Sequence, residues 1–141
     1  MSGKREKSKL EKLMCEKDVP TGKGREPYTY ETTERDYLIW FKIINKEIFG
    51  GRLPPIDRVE IKWRRGCFAA YTYQASSKRK KSTLLLNKKY RSKKFFVEMM
   101  AHELVHHYQF MYDEPMGHGP SFERWTKIFN KKGLRLGKAH V

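Results

Sequence analysis

The chain has 141 residues, enough for one domain with a modest core and too few for a second. Its 31 Lys and Arg against 16 Asp and Glu give a net charge of +15, and where that charge sits matters more than its size. Two cysteines, Cys15 and Cys67, cannot build a disulfide framework or a four-thiolate zinc ribbon, and they read as reduced, incidental thiols of an intracellular protein. No apolar run follows the opening Met-Ser-Gly-Lys-Arg-Glu-Lys and no stretch approaches membrane-spanning length, so neither a secretory signal nor a membrane partner is expected.

Residues 1–27 are rich in Lys, Glu, Ser and Gly and poor in large apolar side chains, which predicts a basic, disordered N-terminal tail. The domain is expected to span 28–136, with a short tail at 137–141. Thr32 to Asp36 supplies N-cap candidates for a first helix carrying Leu38, Phe41, Ile44 and Ile48 at helical spacing. Gly50-Gly51 and Pro54-Pro55 end it. Arg58 to Arg64 alternates charged and apolar residues and predicts a strand with one wet face. Further strands are predicted over Phe68–Gln74 and Thr83–Asn87, with Ser76–Ser82 an exposed basic turn between them, which together make a small antiparallel sheet.

Phe95 to Tyr112 predicts a helix apolar over most of its circumference and therefore buried. Polar groups on such a helix need partners, and it carries His102-Glu103-Leu104-Val105-His106. Four residues make just over one helical turn, so His102 and His106 project from one face and can share an ion, with Glu103 beside them as candidate general base. Three protein ligands leave a fourth position for water, the pattern of a catalytic zinc site. The carboxylate can take a proton from that water and later deliver it to a leaving amine. A last helix is predicted from Gly119-Pro120-Ser121, with Phe122, Trp125, Ile128 and Phe129 inward and Gly133 as its stop.

The third ligand has two candidates. A metzincin would carry Gly at position 109 and His at 112, where this chain has Gln109 and Tyr112, so that class is excluded. His118 lies between Gly117 and Gly119, which allow close backbone approach; Glu123, on the last helix, is the alternative. Glu98, four residues before His102, is either an acceptor for that histidine's other nitrogen or an exposed carboxylate. His107 points about 100° away from His106 and reads as a core or rim histidine, or a substrate contact. Tyr71, Tyr108 and Tyr112 are candidate oxyanion donors, with packing the default for each.

Beyond the motif, Phe49-Gly50-Gly51-Arg52-Leu53-Pro54, Val59 to Trp63, Leu86-Asn87, His102 to His106 and Gly117 to Phe122 follow in an order that resembles the SprT-like domain, the protease module of the Spartan proteins. The resemblance implies an α+β fold with a zincin-like metalloprotease core, its small sheet packed against three main helices including the HExxH helix. It implies one Zn²⁺ held by His102, His106 and His118, with Glu103 as general base. It also implies a monomeric, zinc-dependent endopeptidase that cleaves proteins bound or crosslinked to DNA and is switched on by DNA. The chain lacks the cysteine zinc ribbon of bacterial relatives and the long regulatory tail of eukaryotic ones, so DNA contact would come from the core or the N-terminal tail. The alternative is a catalytically weak or inactive zinc-containing scaffold that binds DNA.

The charge map fits a DNA partner, single-stranded or distorted. Residues 58–94 hold 13 Lys and Arg against the single acid Glu60, while the other segments are near balance. Lys62, Arg64, Arg65, Lys78, Arg79, Lys80, Lys81, Lys88, Lys89, Arg91, Lys93 and Lys94 could line one side of the domain and meet phosphates. Trp63, Phe68, Tyr71 and Tyr73 are interleaved and could stack on bases, although core packing competes for each. Lys78 to Lys81 also resembles a nuclear import signal; the site of action would be nuclear in a eukaryote and the nucleoid or cytoplasm otherwise.

Overall fold

The computed structural model describes residues 30–63 and 68–136; the predicted tails, both cysteines, Arg64, Arg65 and His140 lie outside them. Eight elements follow in order: β1 (Tyr30–Glu31), α1 (Glu34–Glu47), β2 (Arg58–Lys62), β3 (Ala69–Ala75), β4 (Lys80–Asn87), β5 (Lys89–Tyr90), α2 (Lys93–Met111) and α3 (Pro120–Lys131). The three predicted helices are present, within a fold that mixes helices and small sheets.

Helix α1 starts where Thr33 Oγ1 accepts from the Asp36 amide, and it breaks at Gly50 and Gly51, whose φ values of 64° and 80° suit glycine. Of the expected face, Ile44 and Ile48 are buried and Phe41 packs against the core, but Leu38 is not part of it. Tyr37, Trp40 and Ile44 point inward, whereas Leu38 and Ile39 are exposed. Leu38 is one position out of phase: the stripe that meets the core runs through the aromatic residues, which bury more apolar area than a leucine.

The expected antiparallel sheet is mixed. Strand β4 lies in the centre, antiparallel to β3 and parallel to β2, with Leu86 opposite both Ala69 and Ile61. The reason lies in Leu84-Leu85-Leu86. Such an apolar run suits a central strand, so the β3–β4 hairpin folds back and inserts β4 beside β2. The predicted basic turn is shorter than expected, because Lys80, Lys81 and Ser82 belong to β4. The remaining turn is tied by Ser76, whose Oγ accepts from the Lys78 and Arg79 amides. A second small sheet, β1 with β5, pairs Tyr30 with Tyr90 and anchors the start of the described chain.

Helix α2 is the centre of the molecule. Ser92 caps it by accepting from the Phe95 amide, and residues on all sides of it, Phe96, Met100, Leu104 and Val105 among them, are buried. The β4 side chains Leu84 and Leu86 and the α3 residues Phe122, Trp125 and Phe129 join it in one core with Phe49. Helix α3 begins with Pro120 in its first turn and ends before Gly133, as its sequence predicts. No helix among the described residues is long and apolar enough to cross a membrane.

Candidate metal centre

One turn of α2 places His102 and His106 side by side, and the loop between α2 and α3 returns His118 to the same point. That loop turns through Asp113 at φ 55° and Gly117 at φ 107°, the second a conformation that side chains rarely adopt. The three Nε2 atoms form a near-equilateral triangle: 3.3 Å between His102 and His106, and 3.2 Å from His118 to each. An imidazole nitrogen offers one in-plane lone pair or one proton, so three of them converging on one point cannot all bond in pairs. They suit a shared cation instead. Nitrogens about 2.0–2.1 Å from a tetrahedral centre stand about 3.3–3.4 Å apart, close to the separations here. His102, His106 and His118 are thus a group that could hold a metal ion. Glu123 is exposed on α3 and is not among them.

Phe122 forms the floor of the triad, its ring centroid 4.8, 5.3 and 4.7 Å from those of His102, His106 and His118. It is fully buried and gives the three rings an apolar backing. His102 is buried, His106 half-buried and His118 exposed, so the triad opens to solvent from the His118 side. Burial holds the His106 pKa below the ordinary histidine range, which keeps the ring neutral and its lone pair available.

Glu103 is 8% exposed, with Oε2 3.9 Å from His102 Nε2. Desolvation pushes its carboxyl up to about 7, where one group can both accept and return a proton near neutral pH. A groove of about 420 Å³ adjoins the triad, lined by Tyr71, Tyr73, His106, Met116, Gly117 and His118. Strand β3, which supplies the two tyrosines, is the end strand of its sheet and has no partner on its outer edge among the described residues.

Other expected roles resolve differently. His107 is fully buried and turned away from the triad, with Nε2 2.7 Å from the Pro54 carbonyl and Nδ1 2.7 Å from the Tyr71 hydroxyl. It is a core histidine that joins α2 to β3 and to the loop after α1. Tyr112 donates to the Arg52 carbonyl at 2.6 Å, and Tyr108 stacks on Phe49, so both serve packing. Glu98 accepts from the Arg135 amide at 2.9 Å; it ties down the segment after α3.

Gln109 is a site residue that the sequence reading passed over as a failed metzincin position. It is fully buried, and its Oε1 lies 2.9 Å from His106 Nδ1. Its Nε2 donates to the Gly117 carbonyl at 3.1 Å. The only sequence signal is a buried amide three residues after a ligand candidate.

The described basic residues fall into two groups along β4. Lys62, Lys88 and Lys89 gather at the end of β4, where the Lys88 amide bonds the Lys62 carbonyl, and Arg91, Lys93 and Lys94 follow. Lys78, Arg79 and Lys81 sit at its beginning, seven residue steps or about 23 Å away. Several have local engagements: Lys62 with Glu60 at 3.6 Å, Arg79 with Asp57 at 3.7 Å, Arg91 over the Phe95 ring and Lys93 over Trp40. Lys80 departs most from expectation. Its Nζ donates to the Phe110 and Met111 carbonyls and to Asp113, so this ammonium closes the C-terminal end of α2. Trp63 and Tyr73 are exposed, whereas Phe68 packs edge-on against Phe95 and Tyr71 against His107.

Comparison with protein families matches residues 38–140, most of the chain, to the SprT-like family. The chain belongs to the SprT-like family. That membership makes it a metalloprotease-like domain and agrees with the three histidines gathered around one point. Comparison with curated proteins finds no significant match.

Proposed function

We propose that this SprT-like chain is a zinc-dependent endopeptidase that cleaves proteins bound or crosslinked to DNA. The observation that carries the reading is the Nε2 triangle of His102, His106 and His118 with the Glu103 carboxylate at its edge. Three neutral imidazoles suit zinc among the available divalent ions. A zinc ion there would supply Lewis acidity to a peptide carbonyl and to water. Glu103 takes the proton of the attacking water and returns it to the leaving amine. The Tyr71–Tyr73 groove receives the substrate, which lies extended along the open edge of β3 in a strand-addition mode.

DNA contact is the second half of the proposal. The two basic clusters, about 23 Å apart, would meet phosphates at two separated points along a strand. The exposed Trp63 would stack on an unpaired base. The test gives purified protein zinc, single-stranded DNA and a basic DNA-bound substrate. Wild type should cleave it, and Glu103→Gln should bind DNA equally but leave the substrate intact. Zinc should be lost from His118→Ala and kept by Glu123→Ala. Equal inertness of wild type and Glu103→Gln, with DNA binding intact in both, would replace the protease with a zinc-containing scaffold.

A further inference from the structure

The Gln109 side chain is part of a longer chain of hydrogen bonds, and its direction can be worked out from groups that have no choice. The Gly117 carbonyl can only accept, so the atom facing it at 3.1 Å is the amide nitrogen of Gln109. The Gln109 carbonyl oxygen therefore faces His106 Nδ1 at 2.9 Å and can only accept from it. His106 must then carry its proton on Nδ1, which leaves the Nε2 lone pair directed at the other two histidines. On the far side, Gln109 Nε2 also reaches Ser121 Oγ at 3.3 Å. Ser121 in turn donates to Glu114 Oε1 at 2.7 Å, and Arg124 holds Glu114 Oε2 at 2.7 Å. Burial alone would raise the Glu114 carboxyl, but its bonds from Ser121 and Arg124 outweigh this and keep it below the usual range.

We propose that Gln109 is a positioning residue for the metal centre, linking the His106 imidazole through Ser121 to the Glu114–Arg124 ion pair and holding the His118 loop by the Gly117 carbonyl. This rests on the reading of His102, His106 and His118 as ligands. Every donor between His106 and Glu114 points toward the carboxylate, so the chain does at a distance what a carboxylate bonded directly to a ligand histidine does: it sets the tautomer and raises the basicity of the metal-facing nitrogen. The Gly117 bond adds a second function. One side chain fixes both a ligand on α2 and the loop that brings in His118, so the third ligand is placed before an ion arrives.

The test uses the full chain with zinc alone as probe. Competition with a chelator should show Gln109→Leu binding zinc about 10–100-fold more weakly than wild type. Glu114→Gln, which touches none of the three histidines, should show a smaller loss in the same direction. Side-chain ¹⁵N NMR of zinc-stripped wild type should find the His106 proton on Nδ1. Gln109→Leu should give a mixture of tautomers, and Gln109→Glu, still an acceptor, should restore Nδ1–H. A His106 proton on Nε2 in wild type would overturn the proposal even if no variant folds. So would zinc affinity in a folded Gln109→Leu within twofold of wild type. Wild type that binds no zinc would instead defeat the ligand reading, a different failure visible in the same titration.

Discussion

At the scale of single residues, Glu103 is the side chain whose environment and chemistry conflict most. Burial pushes its carboxyl from 4.5 up to about 7. The folded protein holds that proton more tightly than the unfolded chain does, so its contribution to stability is fully present below pH 4.5 and is lost as pH rises through about 7. At pH 8 the buried carboxylate should cost zinc-stripped protein on the order of 3 kcal/mol. Glu103→Gln should therefore be more stable than wild type at pH 8 when both are stripped of zinc, with the difference shrinking toward pH 5. Parallel denaturant titrations of the two proteins check this, and a difference that does not depend on pH would contradict it. His102, His106 and Glu103 were legible in the sequence because helical pitch is local and fixes which residues share a face. His118 was legible because glycines frame it. Gln109 was not: its role depends on the loop bringing Gly117 and Ser121 back to α2, which no spacing along the chain reveals.

Among the elements, α2 carries two ligand candidates and Glu103, and its C-terminal end is closed by a residue thirty positions earlier in the chain. Lys80 reaches the Phe110 and Met111 carbonyls and Asp113 with a side chain only 30% exposed. A cation at the negative end of a helix, partly buried and hydrogen-bonded, contributes about 1–2 kcal/mol. Lys80→Gln should lose about that much stability in denaturant titration and leave the salt dependence of DNA binding nearly unchanged. Lys81→Gln, exposed on the same strand, should do the reverse; matching effects from the two variants would remove the distinction. Charge alone did not separate these neighbours, because the difference is which face of β4 each occupies. Sheet order escaped the sequence reading for a related reason. Alternation predicts that a strand exists and which face is wet, but the central position of β4 follows from the apolar demand of Leu84 to Leu86 in three dimensions.

For the molecule as a whole, the core around α2 explains why so polar a chain can build a buried helix that carries His102, Glu103 and His106. Aromatic residues from α1, the loop after it and α3 converge on α2, and Phe122 serves both that core and the floor of the triad. The described Lys and Arg clusters lie at the two ends of β4, so that under the proposed function proteolysis and DNA contact would fall to different parts of one small domain. This division predicts that neutralising the basic clusters weakens capture of DNA-bound substrate without altering the metal site. The most direct test of the central claim is the cleavage rate of an unfolded polypeptide by zinc-loaded wild type against zinc-loaded Glu103→Gln. Loss of the proton carrier should slow the variant by about 10²–10⁴-fold with its zinc content unchanged. Equal rates from the two proteins would contradict the account.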